Sequence, residues 1–383
     1  MSTKKRAFGL AFLCLILLAG SAACFASATQ LLYVQSGQQL VTYSVNPATA
    51  VATKLGSLWM NASLEFPIQI FHSGSYVYIL GFTASTNAYF WVHATTPAGV
   101  PTMNPIQRLA VENSINKSAF NPNGRFGYAV NLWLDATYHY VGDVVLYSVN
   151  QKTGFLTKTM KPVAHFSPSF AWVSQLYGLN STGTKLYIRA FGDTNGNDFY
   201  SYPVVPKTGL LGSPTYFWHD VGDPAGFVST IISDQFIVLE FDFFVGPVGI
   251  KIFTNKVYPA GQNPTPIVDC DAAMVAACGD GFADGSVTQF NPSGKYLFID
   301  DQLIANVIVA AIDTKNQRLE ETASSIPGSP QILSFSPDGK LVYAAENAEI
   351  LVYVFDPSSG VFTANSSFNV PSYVASIVPA AGP

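Results

Sequence analysis

The sequence predicts an all-β fold, a seven-bladed β-propeller of four-stranded antiparallel blades, and three observations predict it. One phrase occurs three times: "FNPNGRFGYAV" at 120–130, "FNPSGKYLFID" at 290–300 and "FSPDGKLVYAA" at 335–345. A second phrase follows some residues later in each unit, as in "VVLYSVNQKTGFL" (144–156), "YSYPVVPKTGLL" (200–211), "VIVAAIDTKNQRL" (307–319) and "ILVYVFDPSSGVF" (350–362). The two ends of the chain, finally, hold complementary parts of one unit.

The first phrase is a hairpin corner. Proline presets φ for the second turn position, Asp, Ser or Asn suits the third, and glycine takes the φ that other residues resist. The residues that follow, such as Leu341, Val342 and Tyr343 or Tyr296, Leu297 and Phe298, are branched or aromatic and suit a pleated sheet. The second phrase is an apolar strand, a polar turn and the start of another strand, so the two together make four strands per unit. Corners fall at Gly74, Gly124, Gly183, Gly294 and Gly339, with a degenerate one near Asp234. Their spacing is uneven, a repeat period with loop insertions.

Closure of the ring is read from the ends. "LLYVQSGQQLVTYSVNPATA" (31–50) matches the second and third strands of a unit and has no inner strand before it, whereas "PSYVASIVP" (371–379) matches the inner-strand phrase "SPQILSFSP" (329–337) and then stops. The C-terminal strand is therefore expected to pair into the N-terminal blade, which removes exposed sheet edges. Composition agrees: 49% apolar, 14% aromatic and 11% charged residues among 383 suit a large core, and 30 Gly with 24 Pro favour one all-β domain over 29–383.

Residues 1–28, "MSTKKRAFGLAFLCLILLAGSAACFASA", have a basic start, an apolar run and small residues before a cleavage site, the pattern of a signal peptide. Export to a periplasmic or extracellular space is the expectation. "GSAAC" is also a permissive match to a lipoprotein processing site with Ser21 at the usual branched position, so a lipid anchor at Cys24 stays open, and membrane association depends on it. In an oxidising compartment Cys270 and Cys278, the two cysteines of the body, are expected to form a disulfide; a metal site would need more ligands, and no histidine lies near them.

"LLYVQSG", "FSPDGKLVYAAE", "LYSVNQKTGFL" and "FDPSSGVF" together resemble the lactonase-like seven-bladed β-propeller family, related to bacterial 6-phosphogluconolactonases and YVTN-type propellers, over residues 30–379. The resemblance implies action on a lactone, with His, Arg and carboxylate groups gathered on the channel face. The chain departs from that pattern. The "G-P-R-H" entry and the "D-L-G-x-D" stretch are absent, and "NKSAFNPNG" (116–124) and "AVNLWLDATYHYVGD" (129–143) stand in their place.

Elsewhere the sequence holds no G-x-S-x-G elbow, no H-E-x-x-H and no phosphate loop with its lysine. No cofactor and no metal are expected. The ionisable groups that lactone chemistry would have to use are His165, Arg189, Glu240 and Asp242. Counting eight residues back from each corner glycine or its equivalent picks out Phe66, Asn116, Gln175, Phe227, Ser286, Gln331 and Tyr373, a neutral, polar and aromatic ring expected near one end of the channel. "GDTNGNDF" (192–199) is read as a hairpin turn more than as a cation loop, and Asp280 lies beside the cysteines.

Charge excludes one class of partner. Without Lys4, Lys5 and Arg6 the chain keeps 16 basic against 24 acidic residues, a net of −8, so no basic face is available for nucleic acid. The expected function is that of an exported, monomeric, non-catalytic propeller binding a small molecule, glycan or protein through its loop-rich face or channel mouth. The alternative is a lactone hydrolase or cyclase.

Overall fold

A computed structural model of the chain describes residues 29–60, 66–83, 87–111, 118–134, 140–166, 171–180, 182–192, 196–219, 227–232, 235–241, 249–254, 267–270, 289–301 and 305–381. Every regular element among them is a β-strand. Strands β1 (Gln30–Ser36), β2 (Gln39–Val45) and β3 (Ala52–Trp59) open the chain, followed by β4 (Phe66–Ser73), β5 (Tyr76–Phe82), β6 (Ala88–Ala94) and β7 (Gln107–Ala110). Next come β8 (Ser118–Phe120), β9 (Phe126–Leu134), β10 (Tyr140–Val149), β11 (Leu156–Lys158) and β12 (Ala164–Phe166). The sheet after these is β13 (Ala171–Leu179), β14 (Lys185–Gly192), β15 (Gly196–Pro203) and β16 (Thr215–His219). β17 (Phe227–Ile232), β18 (Phe236–Phe241), β19 (Gly249–Thr254) and β20 (Val268–Cys270) precede β21 (Gln289–Phe290), β22 (Tyr296–Asp301), β23 (Asn306–Asp313) and β24 (Arg318–Pro327). The chain ends with β25 (Ile332–Phe335), β26 (Leu341–Glu346), β27 (Glu349–Asp356), β28 (Val361–Asn369) and β29 (Val374–Ala381).

All pairings are antiparallel and, within each group, consecutive strands are neighbours except β11 and β12, which both pair with β10. The expectation of seven four-stranded blades needs correction: six sheets are four-stranded, and the remaining sheet, β8 to β12, has five strands. Its outer position is split. β11 pairs with β10 at Tyr147 to Val149, and β12 pairs with the same strand at Gly142 to Val144. Between the two lies Pro162, which has no N–H to give to a ladder, while Thr159 N and Val163 N still reach Leu146 O and Val144 O.

The ends meet as the repeat pattern requires. β29 lies against β1 from Gln30↔Ala381 to Ser36↔Val374, the innermost strand of a sheet whose other members come from the start of the chain. The Ser36 hydroxyl donates to Ser372 O (2.9 Å) and accepts from Ser372 N (2.8 Å), tying down the entry to the closing strand.

Four corners share one geometry. Gly124, Gly183, Gly294 and Gly339 have φ of 67–71° and donate N–H to the carbonyls of Asn121, Asn180, Asn291 and Ser336. Those polar residues are buried because their side chains accept backbone N–H groups of the corner that no strand reaches, such as Leu341 N to Ser336 Oγ (2.8 Å). Neighbouring corners touch: Asn121 Nδ2 donates to Gly183 O at 2.9 Å.

The second phrase builds a joint between sheets. Its turn closes with an N–H bond over four residues, from Gly154 to Asn150, Gly209 to Val205 and Gly360 to Asp356, and the closing residue has positive φ. A tyrosine in the second strand of one sheet donates its hydroxyl to the next sheet's turn: Tyr33 to Gly99 O (2.8 Å), Tyr78 to Gly154 O (3.1 Å) and Tyr128 to Gly209 O (2.7 Å). The core lies between the sheets. Tyr33, Leu40 and Met60 of the closing sheet pack with Val77, Ile79 and Trp91 of the next, and Leu341, Tyr343 and Ile350 pack with Leu32, Val34 and Val41 on its other side.

Candidate functional site

On the corner side of the ring a cavity of about 720 Å3 opens where four sheets converge. The β4–β5 corner brings Ser73, Gly74 and Ser75; the next corner brings Pro122 and Asn123; Pro337 comes from the β25–β26 corner. The end of β29 closes one side with Pro379 to Ala381, and the loop after β6 closes the other with Thr95, Thr96, Pro97 and Gly99. Hydroxyls, amides and proline rings dominate the lining. Turn chemistry is the reason, since the residues that make tight corners are small, polar or cyclic.

One imidazole stands in this mouth. His72 occupies the position two before a corner glycine, where three other corners have Pro122, Pro292 and Pro337. Its ring stacks on Tyr33 at 5.2 Å and 26°, beside the Gly74 backbone. Burial lowers its pKa to about 4, the nearby Gly74 backbone opposing in part, so the ring is neutral at pH 7. His93 lies on the same line across the sheet, through the register His72↔Val77↔His93, with Nδ1 2.8 Å from Thr102 O; burial lowers its pKa too.

A second ionisable cluster lies on the split sheet. His165 Nδ1 is 2.8 Å from Asp143 Oδ1, across the paired strands β12 and β10, and the two side chains are 57% and 19% exposed. The carboxylate orients the ring. The strand order β8, β9, β10, β12 puts His165 three strands out from the innermost strand, roughly 14 Å at ~4.8 Å per strand.

Of the other sequence-derived candidates, the Arg189 backbone lies in β14 opposite Gln175 of β13, and Glu240 lies in β18 opposite Ser229. His165, Arg189 and Glu240 thus belong to three different sheets, and Asp242 lies outside the described residues. Phe66 and Phe227 begin the innermost strands β4 and β17, and Gln331 and Tyr373 immediately precede β25 and β29, at the strand ends away from the corners. Gln331 and Tyr373 are exposed, Tyr373 to 62%. Asn116, Ser286, Cys278, Asp193 and Asp280 lie outside the described residues, and Cys270 ends β20. "GDTNGNDF" spans the β14–β15 hairpin, closed at Gly192↔Gly196. Among the described residues no three His, Cys, Asp or Glu side chains cluster to hold a metal, and no helix is long and apolar enough to cross a membrane.

Sequence reasoning passed over the mouth. The signal was present in "FHSGS" (71–75), where a histidine replaces the corner proline, but the eight-residue count looked to the opposite strand ends.

The fold is that of a β-propeller, shared with solved structures of which several are described as lactonases. A candidate 6-phosphogluconolactonase of Bacteroides uniformis superposes with a TM-score of 0.59 at 17% identity, covering 92% of this chain and 100% of that one. The periplasmic gluconolactonase PpgL of Pseudomonas aeruginosa gives 0.58 at 14% identity over 93% and 100%. A hypothetical selenium-binding protein of Sulfolobus tokodaii gives 0.57 at 10% identity over 94% and 95%, so the shared architecture spans proteins of different description. No family model and no curated protein matches the sequence.

Proposed function

We propose that this protein is a lactonase-like propeller that binds a small molecule at its corner-side mouth without turning it over. The observation that carries this reading is the mouth itself, about 720 Å3 and lined by three corners, two outer turns and the end of β29, within the ~300–1,000 Å3 range of small-molecule sites. A non-catalytic role is supported by the sequence, in which the "G-P-R-H" entry and the "D-L-G-x-D" stretch that the lactonase resemblance implies are both absent. Export is part of the proposal, supported by the basic and apolar leader at 1–28. The N-terminal residue of protein recovered from the expressing cells checks it: mature protein starting at Thr29 supports a signal peptide, at Cys24 a lipoprotein, and an intact Met1 neither.

Lactone hydrolysis is the second reading, favoured by the His165 and Asp143 pair, which resembles an oriented base. The two readings separate in one assay. The purified protein is incubated with sugar and aliphatic lactones and acid release is followed, with His165→Ala beside it. Binding alone predicts no turnover above the spontaneous rate; turnover that disappears in His165→Ala would establish the hydrolase.

A further inference from the structure

We infer that the mouth takes an uncharged, hydroxyl-rich ligand of saccharide size, with the His72 imidazole as its fixed hydrogen-bond partner. This rests on the reading that the mouth is the binding site and adds the chemistry of what enters. His72 is the one titratable side chain in the described lining. An anion such as a phosphate or carboxylate would enter a partly desolvated site with no cation to meet it, and a cation would find no carboxylate.

What the lining does offer is suited to hydroxyl groups. Ser73, Ser75, Thr95 and Thr96 each carry a hydroxyl that both donates and accepts, which is what a polyol presents in return. Proline rings at 97, 122, 337 and 379 share the lining with these hydroxyls and supply stiff apolar faces for the C–H faces of a ring or chain. The amides are partly committed: Gln151 Nε2 donates to Gly124 O (2.8 Å) and Asn123 Oδ1 accepts from Arg125 N (3.0 Å). Discrimination therefore falls to the imidazole. The stack on Tyr33 holds its plane, and Tyr33 is itself held by its bond to Gly99 O on the far wall of the mouth. With the plane of the ring held by that stack, its polar edge meets a hydroxyl without reorganisation.

The test is ligand-observed NMR titration of the full chain at pH 7.5 with neutral and anionic polyols side by side: glucose, sorbitol, maltose, gluconate and glucose 6-phosphate. The expected result is binding of at least one neutral member about tenfold or more tighter than gluconate and glucose 6-phosphate. In His72→Phe, which keeps an aromatic ring on Tyr33 and lacks the nitrogen, neutral binding is expected to weaken about tenfold, the scale of one lost hydrogen bond. Ser75→Trp, placed at an exposed corner residue, is expected to abolish it by filling the mouth. Gluconate or glucose 6-phosphate binding as tightly as the neutral members, or neutral binding untouched by His72→Phe, overturns the inference and leaves the mouth as a site. Binding by no member overturns both.

Discussion

At one joint of the ring Tyr128 donates to Gly209 O at 2.7 Å, and the Gly209 backbone lies so close to the Phe126 ring that a Cβ there would come within 2.6 Å of it. At the joint where the ring closes, the same parts are present with two exchanges. The turn residue is Ala50, with φ of 62°, and the strand residue in the place of Phe126 is Leu341; both are fully buried in one cluster. The tyrosine matching Tyr128 is Tyr343, whose buried hydroxyl has no partner among the described residues, while Ser366 Oγ donates to Ala50 O at 2.7 Å. Propeller joints thus tolerate a methyl group on the turn where the facing strand gives up an aromatic ring, and the carbonyl finds its donor elsewhere.

The largest effect breaks the regular joint. Gly209→Ala must accept positive φ and push against Phe126, and is expected to lose about 2–5 kcal/mol, ~1–2 from the left-handed backbone and ~1–3 from overpacking. Ala50→Gly, at the matching position of the closure, is expected to move stability by less than about 1 kcal/mol, relief of backbone strain opposing the lost methyl and the added chain entropy. Urea midpoints measure both. The double variant Phe126→Leu with Gly209→Ala recreates the closure pair and should recover part of the loss; strictly additive losses would sink the account of a shape exchange.

Acid distinguishes the two sides of the closing sheet. Its joint with the β4–β7 sheet holds His72 and His93, and its joint with the β25–β28 sheet packs no histidine into its apolar cluster. The folded pKa of His72 lies below the ordinary 6.5, so the unfolded chain takes up a proton first as pH falls. The stability contributed by keeping this ring neutral is complete above about pH 6.5, declines as pH falls, and is gone below about 4; the span corresponds to at most about 3 kcal/mol. His93 acts in the same direction. Unfolding free energy followed from pH 7.5 to 4 should fall less steeply in His72→Phe than in the unaltered protein. Parallel curves would mean that His72 titrates normally in the folded state.

The parts of this architecture that recur were open to sequence reasoning, and the parts that occur once were not. Corners at Gly124, Gly294 and Gly339 and the pairing of 371–379 with the N-terminal strands follow from turn chemistry repeated along the chain. The split fourth strand at β11 and β12 depends on one proline in an otherwise ordinary segment, and no repeat marks it. Tyrosine latches were hidden for a different reason: donor and acceptor are 66 to 81 residues apart, and each looks locally like a strand aromatic or a turn glycine. The mouth depends on which ends of the strands converge with which loops, a relation that counting from corners does not contain. His72 becomes distinctive only beside Tyr33, 39 positions earlier in the chain.

The finest test of the comparison removes one oxygen at each joint. Tyr128→Phe takes the donor from Gly209 O and leaves that carbonyl buried without its partner, for an expected loss of about 1–3 kcal/mol. Tyr343→Phe removes a hydroxyl that already lacks a partner among the described residues, and Ala50 O keeps its bond to Ser366. Burying an unpaired hydroxyl is itself unfavourable, so this substitution should be neutral or raise stability slightly. A loss at Tyr343 as large as that at Tyr128 would show that its hydroxyl does have a partner, a buried water for instance, and the closing joint would then be a water-bridged version of the others. A neutral result would locate a relaxed joint at the place where the two ends of the ring meet.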